Sequence, residues 1–249
     1  MRRQPFRSRR ATPPAGEGRW SLLETRVSGD ANPTAWSAAL AQQLLARYGV
    51  VSRETAAAEW IPGGFGAVYE VLKRMEEAGR IRRGYFVADV GAMQFALPAA
   101  VEQLRGLRDE PATAEVVRLA ATDPANPYGA ILGWPARDAP GRGPSRSVGA
   151  QVILVNGAVA AWVARGGRQL AVYLPEDEPR RSVVAREVAS ALAAGAFGGG
   201  LLVAEINGRP AGEHALAAFL VEAGFSASAM GFNVSRRRGS AADHSPSGE

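Results

Sequence analysis

The chain has 249 residues and no cysteine. That excludes disulfides, thiolate zinc sites, iron–sulfur clusters and cysteine nucleophiles together, and it fits a reducing cytoplasm. Histidine is nearly as scarce. His214, at the start of an amphipathic segment, and His244, in a polar tail, are too few for a histidine-rich metal centre and poorly placed for a catalytic triad. Lys73 is the single lysine, and it follows Leu72 inside a helical pattern. No G-x-x-x-x-G-K-[ST] exists, so ATP hydrolysis on a P-loop is excluded for this chain. H-E-x-x-H and G-x-S-x-G are missing too. The longest apolar stretch, Val152 to Ala164, is broken by Asn156-Gly157 and is too short to cross a bilayer. The basic start runs into Pro13-Pro14 and Gly16 instead of an apolar core, unlike a signal peptide. These absences predict a soluble cytoplasmic protein with no cofactor, no metal and no membrane partner. Any enzyme chemistry would rest on carboxylates, amides, tyrosines or arginines.

What is present is globular. Apolar residues make up 47% and charged residues 21%, and the length fits two domains. The net charge is +5, but it is unevenly placed. Arg2, Arg3, Arg7, Arg9, Arg10 and Arg19 against Glu17 give residues 1–20 the whole +5, and residues 21–249 sum to zero. Attraction to a polyanion must therefore come from that segment and from local arginine clusters.

The patterning predicts an α+β fold in two parts, framed by a disordered basic linker (1–18) and a disordered tail (236–249). Residues 19–110 read as a winged helix-turn-helix. Asn32-Pro33-Thr34 opens a first helix that Gly49 closes; Ser52 caps a second, reaching Trp60. Pro62-Gly63-Gly64 turns into a third, from Phe65 to Ala78, with Phe65, Val68, Leu72 and Met75 on one face. Two strands, Arg80 to Val87 and Ala92 to Leu97, form the wing, and Ala99 to Arg108 is a linking helix. Residues 111–235 read as a strand-rich, β-barrel-like domain with two helices. Val152–Val155, Val159–Val163 and Gln169–Leu174 form a meander, its first turn set by Asn156-Gly157. Helices follow from Pro179 to Ala194 and from Glu213 to Ala223, with strands at Leu201–Ile206 and Phe225–Val234. Ala136 to Gly149, rich in Pro, Gly, Arg and Ser, reads as a mobile surface loop.

Two places carry candidate chemistry. The wing holds Arg80, Arg82 and Arg83 beside Tyr85-Phe86. Guanidinium groups there suit phosphates, and an aromatic ring beside them suits an unpaired base; the plain alternative is a solvated hairpin with Phe86 in the core. The third helix is a poor major-groove reader, because Glu70, Glu76 and Glu77 surround Lys73 and Arg74. The second place is Ala121-Thr-Asp-Pro-Ala-Asn-Pro-Tyr-Gly129, where two prolines fix a loop carrying Asp123, Asn126 and Tyr128. These groups suit a nucleobase edge, or general base catalysis by Asp123. The plain alternative has Asp123 and Asn126 capping their own backbone.

Linked motifs then resemble one family. Gly18-Arg-Trp-Ser-Leu-Leu, Leu45-Ala-Arg-Tyr-Gly-Val-Val-Ser-Arg-Glu, Ile61-Pro-Gly-Gly-Phe, Tyr69-Glu-Val-Leu, Met75-Glu-Glu-Ala-Gly-Arg, Arg82-Arg-Gly-Tyr-Phe-Val, Gln94-Phe-Ala-Leu-Pro and Thr122-Asp-Pro-Ala-Asn-Pro-Tyr-Gly are similar to the C-terminal region of Lhr, the large helicase-related DNA repair proteins. The resemblance runs over about residues 18–235. It implies a winged-helix and β-barrel architecture like that of AlkZ-type DNA glycosylases, with DNA and a helicase motor as partners, and self-association. The motor motifs are absent from this sequence. The Thr122-Asp123-Pro124 loop resembles the aspartate loop of the glycosylase relatives, whose glutamine motif has no counterpart here. The expected DNA contacts are Arg53, Lys73, Arg80, Arg82, Arg83, Tyr85, Gln94, Asn126 and Tyr128, with Asp123 as the catalytic candidate. The leading expectation is a DNA-binding accessory module. Its rivals are a monofunctional DNA glycosylase and a winged-helix interaction or oligomerisation scaffold.

Overall fold

Asn32 caps the first described helix. Its Oδ1 accepts the Thr34 N–H at 2.9 Å, and Pro33, whose missing N–H costs nothing in a first turn, leads α1 (Pro33–Tyr48). The computed structural model describes residues 22, 32–91, 93–109, 111, 113–137, 143–195 and 200–234. The expected linker 1–18 and tail 236–249 lie outside the described residues.

Gly49, at φ 67°, ends α1 and donates back to the Leu45 carbonyl. The chain then forms a two-residue strand, β1 (Val50–Val51). Ser52 and Thr55 cap α2 (Arg53–Ala58) reciprocally, each side-chain oxygen accepting the other's backbone N–H. Helix α3 (Gly66–Glu77) buries Val68 and Leu72. The wing is β2 (Arg82–Gly84) and β3 (Gln94–Ala96). The sheet order is β1-β3-β2, with Val51 opposite Phe95 on one side and Arg83 opposite it on the other. Ala41, Leu44, Leu45, Val51, Val68, Leu72 and Phe95 form the core, with Phe65 and Tyr69 packed against Phe95. This is a winged helix, as expected, with β1 as an addition that two valines did not announce. Helix α4 (Pro98–Gly106) follows.

The rest of the chain is built on a six-stranded sheet. Its strands are β4 (Val116–Ala120), β5 (Gln151–Val155), β6 (Ala158–Val163), β7 (Gln169–Val172), β9 (Glu205–Ile206) and β10 (Arg209–Pro210), with β8 (Leu201–Val203) lying elsewhere. The order is β10-β9-β7-β6-β5-β4, antiparallel except between β7 and β9. Asn156-Gly157 and Asn207-Gly208 both adopt positive φ, the left-handed pair that two-residue hairpin turns require. Helices α5 (Arg180–Ala194) and α6 (Ala217–Glu222) complete a core containing Ile153, Val155, Val172, Val188, Leu192 and Leu220. Val152, Leu154 and Val159 belong to a second cluster, packed with Tyr128, Trp134 and Trp162. Both faces of β5 are thus covered, which explains its unbroken apolar run. Strands β11 (Ser226–Ser228), β12 (Gly231–Val234) and β8 form a separate three-stranded sheet. The fold is α+β, but no barrel closes among the described residues: β4 and β10 remain sheet edges.

Candidate nucleic-acid interface

The wing is shorter as a ladder than its sequence predicts, because a side chain takes over from the backbone. Gln94 is fully buried. Its Oε1 accepts the N–H groups of Phe86 and Val87, both at 2.9 Å. Its Nε2 donates to the carbonyls of Val87, Val90 and Gly91 at 2.8, 3.1 and 3.3 Å. The strands part after Gly84, and the loop beyond is tied to this one carboxamide. Glu54 of α2 adds a second tie: its Oε1 accepts the Gly91 N–H at 3.2 Å. Burial pushes the Glu54 carboxyl up, but hydrogen bonds from Ser52, its own backbone and Gly91, with the charge of Arg53, outweigh it and leave the group below its ordinary value. A Cβ on Gly91 would lie 2.9 Å from Glu54 Oε1, so this close approach requires glycine.

On that fixed hairpin Arg80, Arg82 and Arg83 are all exposed, while Ile81 turns into the core. Arg83 faces the Phe95 side and still reaches solvent, since β2 is an edge strand. None of the three forms an ion pair among the described residues. Tyr85 is 80% exposed. Lys73 lies on the outer face of α3 with Glu70, Arg74 and Glu77, so this helix surface is mixed in charge. Arg53 stands at the rim of a groove of about 570 Å³. Ala57, Phe65, Gly66, Tyr69 and Met93 give that groove an apolar wall.

Three of the residues expected to contact DNA have their polar groups turned inward. Gln94 is consumed by the wing loop. Asn126 is 1% exposed; its Nδ2 donates to the Ala121 carbonyl at 2.9 Å, and its Oδ1 accepts the Tyr128 N–H at 3.1 Å. The Tyr128 hydroxyl accepts the Val159 N–H at 3.2 Å, with its ring stacked on Trp134 at 6.1 Å between centroids. These polar groups point inward because burial obliges them to pair. The catalytic candidate Asp123 is half-buried, and its Oδ1 accepts the Ala125 N–H at 2.8 Å. That is the backbone cap of an Asx turn. Its other oxygen has no partner among the described residues.

Arg146 was missed by sequence reasoning. Its guanidinium donates to the carbonyls of Asn126 at 2.6 Å, Asp123 at 3.1 Å, and Thr122 and Tyr128 at 3.3 Å. It thereby gathers the 122–128 loop around one cation. It lies within the segment expected to be a mobile surface loop, of which residues 138–142 are outside the described residues. Trp134 closes over Gly129, where a Cβ would sit 2.6 Å from its indole nitrogen. Among the described residues no group of three His, Asp or Glu is placed to hold a metal ion, and no helix is long and apolar enough to cross a membrane.

Comparison with known proteins follows the same division. A protein of Mycolicibacterium smegmatis named Lhr helicase/probable uracil glycosylase is 41% identical over 203 residues, covering 80% of this chain and 13% of that protein. The Lhr helicase/uracil glycosylase of Escherichia coli is 36% identical over 222 residues, covering 87% of this chain and 14% of that protein. The chain therefore spans only about a seventh of the length of these curated relatives. Residues 30–116 match the family model for the winged-helix domain of large helicase-related protein. That interval holds α1 to α4 and the Gln94-tied wing, so the chain carries the winged-helix domain of the large helicase-related, or Lhr, family.

Proposed function

We propose that this chain is a DNA-binding accessory module of an Lhr-type repair helicase, with a winged-helix domain over residues 19–110 and a second α+β domain over 111–235. The observation that carries the reading is the wing: three exposed arginines, free of ion pairs among the described residues, on a hairpin whose loop is fastened by Gln94 and Glu54. A rigid cationic edge suits phosphates, which fix register without reading sequence. Arg53 adds a cation on the groove that Met93 of the wing also lines, while Lys73 stands among Glu70 and Glu77 on α3. Gln94 supports the wing from within. ATP hydrolysis belongs to a motor outside this sequence, since no P-loop lysine exists here.

The test is binding of the full chain to DNA across a salt series, with Arg80, Arg82 and Arg83 replaced together by alanine. Binding should weaken whatever the DNA sequence, and the salt slope should fall by roughly one for each phosphate no longer neutralised. The same comparison in a chain lacking residues 1–18 separates the wing from the basic segment. Unchanged affinity and slope with an intact fold remove the wing from the interface.

A second reading, base excision, is favoured by the names of both relatives, which include uracil glycosylase. In this chain it would rest on Asp123 as the base. Release of uracil from DNA by the purified chain tests it directly.

A further inference from the structure

We infer that the winged helix binds single-stranded DNA, with Trp60 and Tyr85 as stacking platforms for unpaired bases. The inference rests on the DNA-binding reading above and specifies the form of DNA. Trp60 is 90% exposed, the most exposed large apolar side chain described. It stands where α2 turns toward α3, at φ 52°. That left-handed backbone suits glycine and is unfavourable for a residue with a Cβ. Its backbone N–H donates to the Ala57 carbonyl at 3.1 Å, and its indole makes no hydrogen bond or ring contact among the described residues. A glycine would fit the backbone better and leave no indole in water, so no contact among the described residues accounts for tryptophan here.

Tyr85 presents the same problem on the other side. Its hydroxyl has no partner among the described residues and its ring is 80% exposed, yet its backbone is held: the next two N–H groups are those Gln94 accepts. The apolar groove is bounded by the turn that carries Trp60, through Gly64, and by the wing that carries Tyr85, through Met93. Arg53 lies on the groove, Arg82 and Arg83 lie on β2 of the wing, and Arg80 lies just before it, beside α1 and α3. Exposed aromatic faces on a domain where Arg80, Arg82 and Arg83 form no ion pair among the described residues match a flexible strand whose bases are free to stack. Duplex DNA offers no such faces. The outward Glu70 and Glu77 of α3 would also meet phosphate in a major groove.

The experiment measures the full chain against labelled oligothymidine and a hairpin duplex of equal phosphate number at several salt concentrations. The parent should prefer oligothymidine. Trp60→Ala and Tyr85→Ala should each weaken that binding about 5- to 100-fold while changing duplex affinity less than about 2-fold. Trp60→Phe and Tyr85→Phe, which keep a ring, should retain most of it. Equal affinity for the two DNAs, or alanine variants that bind oligothymidine like the parent, overturn the inference. The accessory-module reading survives that result if the wing arginines still set the salt slope. No binding to either DNA overturns both. Since both side chains are exposed, melting temperatures should match, and a protein partner for this surface would show as unchanged DNA binding.

Discussion

Gln94 grips Val87 from both sides, accepting its N–H at 2.9 Å and donating to its carbonyl at 2.8 Å. A primary carboxamide has the donor and acceptor of a peptide group, so one side chain pairs with Val87 as a neighbouring strand would. With three further bonds to Phe86, Val90 and Gly91, it forms the polar centre of the wing loop.

Gln94→Ala should therefore destabilise the fold by about 2–4 kcal/mol, because it strands several backbone groups at once. Gln94→Glu should also destabilise it, since a carboxylate keeps the two accepted bonds and turns its charge toward three carbonyls. Denaturant unfolding checks both. A residue that reads DNA would behave oppositely, with unchanged stability and weakened binding.

Arg146→Lys should loosen the 122–128 loop. An ammonium is a point donor, and it cannot reach the four carbonyls that the planar fork spans. The expected loss is about 1.5–3 kcal/mol. Hydrogen exchange at Asn126 and Tyr128 should rise with it. Unchanged protection would show that Trp134 and the prolines hold the loop alone.

His214 predicts a pH dependence. Burial lowers its pKa, and its Nδ1 accepts the Leu216 N–H at 3.1 Å while Asn207 approaches Nε2 at 3.4 Å. The folded chain thus holds the ring neutral where the unfolded chain binds a proton below its ordinary value of about 6.5. Unfolding then takes up a proton, and stability should fall as pH drops below about 6.5. Glu54 and Glu59, whose pKa values are lowered, lose their contribution in a separate window below the ordinary carboxylate range. His214→Asn should flatten the upper window and leave the lower one, as read by melting temperature against pH.

The helical half was legible because local chemistry sets it. Asn32-Pro33, the Ser52 cap, Gly49 and the Val68–Leu72 spacing act within a few residues of themselves. The Asn-Gly turns of the sheet were legible for the same reason. Gln94 was not: a glutamine beside Phe95 reads as a surface group, and only the returning loop makes it a core group. Arg146 was hidden likewise, since its four partners lie 18 to 24 residues away. Strand β4 contains Arg118, which interrupts an apolar pattern; its Nε donates to Gln151 and its Nη1 to the Ala191 carbonyl at the end of α5. Sheet closure depends on how far strands shear past one another, which no single strand encodes, so a barrel expectation met an open sheet.

Asp123→Asn separates a cap from a base. The structure assigns Oδ1 to the Ala125 N–H at 2.8 Å, and asparagine keeps an oxygen there, so a cap should survive with a loss of about 1 kcal/mol or less. A general base cannot survive, because an amide takes no proton at neutral pH; catalysis then falls by about 10²- to 10⁴-fold. The measurement is uracil release from single-stranded and duplex DNA by the parent and the variant, with melting temperature followed in parallel. The half-buried carboxylate already spends one oxygen on its turn, and the amide of Asn126 and the hydroxyl of Tyr128 beside it are turned inward. A base must take a proton from the attacking water with the oxygen that remains, and no side-chain hydrogen bond positions that oxygen among the described residues. The expected result is an unchanged melting temperature and no change in whatever uracil release the parent shows, which makes Asp123 a cap. Loss of release at an unchanged melting temperature would instead make Asp123 the base and favour the excision reading.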